Sequence, residues 1–152
     1  MRILSASVTS IFLAAALAAP ALAQDAVADA ETFYAAFADA LNRDDVAAIQ
    51  ALYADGVVFV PSPGVALTKA EDIAGALGQF AAMSDQFDVK LRSVYENGDT
   101  LLAVADWTLV GKAQDGAPIT LSGSTADVLR RSSDGKLLAV IDNPFGSALP
   151  QQ

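Results

Sequence analysis

The carboxyl group of Asp127 is the side chain of this sequence that is best suited to chemistry. It lies in the segment STADVLRR, in a predicted strand where every second residue is apolar or small: Ile119, Leu121, Gly123, Thr125 and Leu129. Because alternate residues of a strand share one face, burial is expected to raise the pKa of Asp127, so that its protonated carboxyl donates a hydrogen bond to a ligand as a catalytic acid. The alternative is that Asp127 bonds to the Trp107 indole, a tyrosine hydroxyl or the backbone, without a ligand.

Several aromatic residues are candidates for the wall of a ligand-binding pocket. Trp107 shares its strand face with small residues and a leucine, so its ring either lines a cavity or packs tightly against a helix. Tyr34 and Tyr53 lie among apolar residues at helical spacing. Each hydroxyl either enters the pocket or stays at the edge of a helix–sheet contact. We also expect Phe59, in a short strand that ends at two prolines, to contact a ligand.

The last predicted strand ends in a polar segment, Asp142-Asn143-Pro144-Phe145-Gly146. One interpretation is simple chain termination, in which Asp and Asn bond to the local backbone and Pro144 stops the strand pairing. The other is that Asp142 or Asn143 contacts a ligand at the open end of the fold, because loops on a rigid scaffold often carry function.

Two residue types are absent. The chain has no cysteine, which excludes disulfides, thiol catalysis and thiolate metal sites, and no histidine, which removes the commonest general base and zinc ligand. Proton transfer therefore falls to Asp, Glu, Tyr or Lys. The carboxylates lack the spacing of a calcium loop, and Gly75 and Gly78 lie inside a predicted helix instead of a phosphate-binding loop. We therefore predict neither a metal nor a cofactor.

The charge and the N-terminus indicate where the chain acts. A net charge of -9 repels phosphate backbones, so nucleic acid is not an expected partner. Residues 1–23 have the pattern of a signal peptide, with Arg2, the apolar run Val8–Ala19 and a small-x-small site at Ala21–Ala23. This run is shorter than the roughly 20 residues of a membrane-spanning helix. We therefore expect no membrane anchor, cleavage after Ala23, and a periplasmic or secreted protein.

Hydrophobic periodicity predicts three helices early in the chain. The first ends near Asn42, and the second is capped by Asp44 or Asp45 and ends before Gly56. A short strand, Val57–Val60, follows. Thr68 and Glu71 have the spacing of a capping box that opens the third helix.

From Phe87 onward the hydrophobic period changes to two, which predicts strands. Three later strands, about 100–112, 119–131 and 137–143, are separated by hairpin-turn dipeptides at Asn97-Gly98, Asp115-Gly116 and Asp134-Gly135. The predicted order is α-α-β-α-β-β-β-β, an α+β fold in which three helices cover one face of a curved antiparallel sheet. We expect one domain over residues 24–146, followed by a frayed tail at 147–152.

Two stretches of the chain resemble a known family. FYAAFADALNRDDVAAIQALYADGVVFVPSPG and the closing DVLRRSSDGKLLAVIDNPFG resemble the SnoaL-like and ketosteroid-isomerase-like members of the nuclear transport factor 2-like superfamily. The resemblance implies a cone-shaped fold with a pocket between sheet and helices, often a dimer through the outer sheet face. Members include isomerases, cyclases, dehydratases and binding modules, so the fold does not select one activity.

The same resemblance bears on individual residues. Overlaid on the ketosteroid isomerases, Pro61 takes the place of the general base and Phe37 that of the oxyanion-hole tyrosine, and neither can exchange a proton. Asp127 matches the oxyanion-hole acid, because it lies nine residues before Lys136. The family therefore implies that ketosteroid isomerase chemistry is lost while one acid is kept.

These observations lead to three hypotheses. The first is an exported domain that binds a small, mostly apolar molecule through Tyr34, Phe37, Tyr53, Phe59, Trp107, Asp142 and Asn143. The second is a SnoaL-like isomerase, cyclase or hydrolase in which Asp127 is the acid and a tyrosine or Asp142 its partner. The third is a homodimeric interaction module that uses the outward-facing residues of the second long strand, Val104, Asp106, Thr108 and Val110.

Overall fold

A computed structural model of the chain describes residues 21–148. Most of the predicted signal peptide (1–23) and of the predicted tail (147–152) lies outside the described residues, so those two assignments stay predictions. In the described part, no helix combines the length and the hydropathy needed to cross a membrane.

Helix α1, Ala21–Asn42, presents one apolar face to the sheet. Its buried residues recur at three- and four-residue intervals, as an amphipathic helix requires: Ala26, Ala30, Phe33, Tyr34, Ala40 and Leu41. The end of the helix is fixed to the sheet by Asn42. Its amide nitrogen donates to the Phe87 carbonyl over 2.9 Å, and its amide oxygen accepts from the Phe87 N–H over 2.7 Å.

Two shorter helices follow, and one predicted cap is wrong. Helix α2, Val46–Gln50, begins as expected after Asp45, whose carboxylate accepts a hydrogen bond from the Ala48 N–H over 2.9 Å. Helix α3, Ala70–Met83, begins after Lys69 and has no side-chain cap. The capping box needs its glutamate three residues after the cap. Because the helix begins one residue later than predicted, Glu71 lies too close to the cap.

The α+β fold class is confirmed, with two more strands than expected. The strands are β1 (Tyr53–Ser62), β2 (Val65–Leu67), β3 (Ser84–Asn97), β4 (Thr100–Lys112), β5 (Pro118–Ser124), β6 (Asp127–Arg131) and β7 (Leu137–Asp142). They form one curled, unclosed sheet in the order β2-β1-β7-β6-β4-β3, with β5 also paired to β4. The pair β1–β7 is parallel and the others are antiparallel, so the sheet is mixed.

Glycines occupy the predicted hairpin turns, but Gly56 has another role. Gly98, Gly116 and Gly135 have φ of 65°, 82° and 88°, which confirms the three turns. Gly56, predicted to end a helix, instead lies inside β1 with φ 73°. The pairing of β1 with β7 shifts register between Tyr53 and Val58, so the glycine serves a strand irregularity.

The strand predicted at 119–131 is divided into β5 and β6. Strands β5 and β6 pair with successive parts of β4, and the chain crosses between them at Thr125-Ala126. The predicted row nevertheless keeps one face of the sheet across the break, because Leu121 pairs with the buried Leu109 and Asp127 with the buried Ala103. Leu121 is 39% exposed on that face, whereas Thr125, Asp127 and Leu129 are buried.

Candidate functional site

A cavity of about 210 Å³ lies between helices α1 and α3 and the inner face of the sheet. Its walls are mainly aromatic, with the rings of Phe33, Phe37, Phe59, Phe80, Phe87, Trp107 and Phe145. Two acids, Asp127 and Asp142, line it as well. The described part of the chain contains no group of three or more His, Cys, Asp or Glu residues that could hold a metal ion.

Five of the rings form a continuous chain of tilted and edge-on contacts, which we call the aromatic belt: Phe37, Phe87, Phe80, Trp107 and Phe145. Successive ring centroids lie 6.0, 6.0, 5.8 and 6.4 Å apart, within the usual range for aromatic pairs. The belt gives the cavity an apolar wall whose residues come from several helices and strands. Packing between the rings stiffens this wall.

Trp107 satisfies both interpretations made from the sequence. Its ring lines the cavity, and it also packs against helix α3, where its centroid lies 5.8 Å from that of Phe80. The indole N–H donates to the Pro144 carbonyl over 2.7 Å. The indole is therefore not a partner of Asp127.

Asp127 is held by donors from two distant parts of the chain. The Tyr34 hydroxyl donates to Oδ2 over 2.7 Å, and the Asn143 N–H donates to Oδ1 over 2.8 Å. The Thr125 hydroxyl lies 3.2 Å from the Tyr34 oxygen and accepts from the Ala105 N–H. The structure therefore contains the tyrosine and backbone partners of one sequence alternative, and places Asp127 on the cavity wall as the other requires.

Asp142 lies beside Asp127 on the neighbouring strand. Val128 pairs with Ile141 across β6 and β7, so the next residues in the antiparallel register are the two acids. The Tyr53 hydroxyl donates to Oδ2 of Asp142. Each buried acid is thus matched with one buried phenol, from α1 for Asp127 and from β1 for Asp142. We refer to the two acids and two phenols as the acidic end of the cavity.

Burial and neighbours shift the pKa values of these groups differently. Burial raises the pKa of Asp127, and hydrogen bonds from Tyr34, the Asn143 N–H and Thr125 oppose the rise. Burial, with the charge of Asp127, raises the pKa of Asp142 to about 8, opposed only by the Tyr53 hydrogen bond. Near neutral pH Asp127 is therefore the better-stabilised carboxylate and Asp142 retains a proton.

The two phenols act as donors throughout the physiological range. Burial, followed by the charge of Asp127, raises the pKa of the Tyr34 hydroxyl far above its ordinary value. Burial, followed by the charge of Asp142, does the same for Tyr53. Because both hydroxyls keep their protons, each directs one hydrogen bond to a carboxyl.

The structure brings most of the sequence-predicted site residues together. Tyr34, Phe37, Phe59, Trp107, Asp127 and Asp142 line the cavity, whereas Tyr53 and Asn143 do not. Tyr53 lies behind Asp142, as its hydrogen-bond donor. The Asn143 side chain forms the turn after β7, where it donates to the Gly146 carbonyl and accepts from the Phe145 N–H.

The sequence-based prediction omitted several residues of the wall. Phe80, Phe87, Pro144 and Phe145 line the cavity, and so does Pro61. The spacing of Ala76, Leu77 and Phe80 on α3 was a usable signal, because it marks the face that turns inward. The belt as a whole carried no such signal, because its members come from distant parts of the chain.

Pro61 and Phe37, which the overlay on ketosteroid isomerases singled out, belong to the cavity lining. Both lie on the cavity wall, where neither can exchange a proton. The hydroxyl that Phe37 lacks is supplied from one turn earlier on α1, by Tyr34. The Tyr34 hydroxyl donates its hydrogen bond to Asp127 and so stabilises the carboxyl group of that residue.

Comparison with known proteins defines the family. The sequence profile of the SnoaL-like domain matches residues 34–140, which is more than half of the chain. The chain therefore belongs to the SnoaL-like domain family. The resemblance found in the sequence is confirmed, and with it the nuclear transport factor 2-like superfamily. No curated protein matches the chain.

Solved structures share the fold at low identity. A conserved protein from Planctomyces limnophilus is 19% identical, over 78% of this chain and 94% of the other, with a TM-score of 0.69. A ketosteroid isomerase-like protein from Erwinia carotovora atroseptica is 20% identical, over 76% and 91%, with a TM-score of 0.66. A candidate dehydratase from Streptomyces avermitilis is 20% identical, over 79% and 95%, with a TM-score of 0.64. These similarities establish the fold alone.

The raised pKa of Asp142 predicts a pH-dependent stability. An unfolded aspartate titrates near pH 4, so the folded chain holds a proton that the unfolded chain has lost between about pH 4 and about pH 8. The free energy of unfolding should therefore fall as the pH rises through this window, by at most about 1.4 kcal/mol per pH unit for one proton. Asp142→Asn should flatten the fall and make the protein more stable than the wild type at pH 8, measured by urea unfolding.

The control for this measurement is Asp55→Asn, which removes one acid from an exposed position. This variant should keep the wild-type slope. An Asp142→Asn protein with the wild-type slope over pH 4 to 8 would show that the buried acid does not hold the proton.

Proposed function

We propose that this chain is an exported, single-domain binding protein for a small, mostly apolar molecule. The observation that carries the proposal is the cavity of about 210 Å³, which is walled by aromatic rings and has polar groups gathered at its acidic end. Binding pockets typically combine an apolar wall with a few convergent polar groups. In this proposal the wall supplies the binding energy and the acidic end orients the ligand.

Two features support binding as the main function. In the overlay on ketosteroid isomerases, Pro61 and Phe37 take the positions of the base and the oxyanion-hole tyrosine, so the isomerase chemistry of that family is not expected here. The cavity is nevertheless lined by aromatic residues from α1, α3, three strands and the segment after β7. The exported location rests on the signal-peptide pattern of residues 1–23 alone.

The cavity provides its own optical probe, because Trp107 is the only tryptophan of the chain. We expect members of a panel of hydrophobic ligands to shift the Trp107 fluorescence and to raise the melting temperature. At a ligand concentration of about 100 Kd the stabilisation should approach about 2.7 kcal/mol. Ala76→Phe should abolish both effects, because Ala76 lines the cavity and the added ring fills it.

The matched control is Ala82→Phe, which adds the same ring to an exposed position of the same helix. This variant should bind as the wild type does. Absence of any ligand-dependent change in the wild type, or identical binding by Ala76→Phe, would contradict the proposal.

The second candidate function is proton-transfer catalysis by an isomerase, cyclase or hydrolase. It is favoured by one observation, the adjacent placement of a carboxylate and a carboxylic acid on the cavity wall. In this candidate Asp127 acts as base and Asp142 as acid, the reverse of the role predicted for Asp127, because more donors stabilise the ionised form of Asp127.

Turnover of a panel of ketones and esters tests this candidate. Asp127→Asn keeps the shape of the side chain and removes the proton acceptor, so turnover should fall by at least about 100-fold. A fully active Asp127→Asn variant would exclude Asp127 as the base.

A homodimer through the outer sheet face is a further proposal. An apolar row crosses five strands on this face, because Tyr95 pairs with Leu102, Leu102 with Val128, Val128 with Ile141, and Ile141 with Val58. Tyr95, Leu102 and Ile141 are 63%, 40% and 37% exposed. The predicted outward residues Val104, Asp106, Thr108 and Val110 lie on the same face.

Light scattering at micromolar concentration measures this association. We expect the wild type to be a dimer, and Leu102→Glu to be a folded monomer because it places a charge in the apolar row. Ala82→Glu, on the exposed side of α3, should remain dimeric. A monomeric wild type would rule out the dimer.

A further inference from the structure

The acidic end carries a negative charge for which the cavity provides no counter-ion. Among residues 21–148, the cavity is lined by two carboxyl groups and by no lysine or arginine. Asp127 and Asp142 are only 4% and 7% exposed. Buried charges are normally paired with an opposite charge, because an unpaired ion loses its hydration without compensation. The site is therefore electrostatically incomplete.

The hydrogen bonds at the acidic end leave one oxygen available to a ligand. Both oxygens of Asp127 accept protein donors, Tyr34 and the Asn143 N–H. In the described part of the chain Asp142 accepts one donor, Tyr53, on Oδ2. Asp142 lines the cavity, and its Oδ1 is not among the sealed side-chain atoms that lack a partner. Because Asp142 lines the cavity, this oxygen is available to a ligand group.

Aromatic rings adjoin the acids. Tyr34 contacts Asp127 directly, and Phe59 lies opposite Asp142 in the register of β1 and β7, with its ring on the cavity wall. The aromatic belt continues the wall from there. Ring faces attract cations, and the attraction is larger where water is excluded. The rings and carboxyls therefore favour the same kind of ligand group.

We propose that the ligand is an aryl- or alkyl-ammonium ion, which places its protonated amine against Asp127 and Asp142 and its apolar body along the aromatic belt. This inference rests on the proposed binding function and specifies the charge of the ligand. The ammonium group supplies the missing counter-ion, donates to Oδ1 of Asp142, and lies beside aromatic rings. The net charge of -9 would also draw cations toward the protein.

Such a ligand would be coupled to the proton at the acidic end. The titratable groups around Asp142 are Asp127 on β6, Tyr53 on β1 and Tyr34 on α1. An ammonium ion stabilises the ionised form of Asp142, so binding at neutral pH should release a proton to the solvent. A neutral alcohol or ketone would instead favour protonated Asp142 and release none. The sign of proton exchange thus distinguishes the two classes of ligand.

Three probes with the same aromatic body separate the effect of charge: 2-phenylethylamine as the cation, 2-phenylethanol as the neutral analogue and phenylacetate as the anion. Titration calorimetry at pH 7, in two buffers of different ionisation enthalpy, gives affinity and proton release together. The amine should bind at least about tenfold more tightly than the alcohol. It should release protons, and phenylacetate should bind least.

The double variant Asp127→Asn/Asp142→Asn removes both carboxyl groups and retains acceptors for Tyr34 and Tyr53. It should reduce the preference for amine over alcohol to about parity and abolish the proton release. Its matched control is Asp55→Asn/Asp72→Asn, which makes the same two Asp→Asn substitutions at exposed positions. The control should retain the wild-type preference.

The outcomes separate this inference from the proposed function. If the alcohol binds as tightly as the amine, or if amine binding releases no proton, the ammonium assignment is overturned while the apolar binding site stands. If no probe binds and the hydrophobic panel also fails, both proposals are overturned. A preference for amine that persists in the double variant would overturn the role of the two acids.

Discussion

Two carboxyl groups lie side by side inside an apolar cavity, and this arrangement constrains the surrounding structure. Each carboxyl would lose its hydration on burial, so each needs donors from the protein. Tyr34 comes from α1, Tyr53 from β1 and the Asn143 N–H from the end of β7. These donors lie 93, 89 and 16 residues from their acceptors along the chain, so the site forms only when helix and sheet are assembled.

Irregularities of the sheet place these groups. At the break between β5 and β6 the Thr125 hydroxyl accepts from the Ala105 N–H and lies 3.2 Å from the Tyr34 hydroxyl, and a register shift between Val128 and Leu129 lies next to Asp127. The parallel pairing of β1 with β7 brings Phe59 opposite Asp142. Irregular strand pairing often occurs beside functional sites, because it redirects side chains that a regular ladder would alternate between faces.

The sequence predicted the fold better than the site, for reasons that lie in particular residues. Period-two alternation and three glycine-containing turns identified the long strands, because both signals are local. The division of the strand at 119–131 was not predictable, since it lies where the Thr125 hydroxyl accepts from the Ala105 N–H, a side-chain contact that no local pattern indicates. Asp127 was found because an acid in an apolar row is unusual. The role of its partner Asp142 was ambiguous, because an Asp-Asn-Pro segment is equally typical of the simple end of a strand. The aromatic belt could not be predicted from the sequence, because its rings come from α1, α3, two strands and the loop after β7.

The unequal hydrogen bonding of the two acids determines what the cavity can do. If both had the same donors, their mutual repulsion would leave the remaining proton without a preferred site. Tyr34 and the Asn143 N–H both bond Asp127, whereas Tyr53 alone bonds Asp142, so the charge resides on Asp127 and the proton on Asp142. A carboxylate held by the protein and a carboxylic acid with one oxygen toward the cavity form an asymmetric pair. Such a pair can accept a hydrogen bond from a ligand or give up its proton to one. Burying the pair lowers the stability of the protein, and this loss accompanies an acidic end that can respond to a ligand. Well-packed apolar residues in the same place would be more stable and chemically inert.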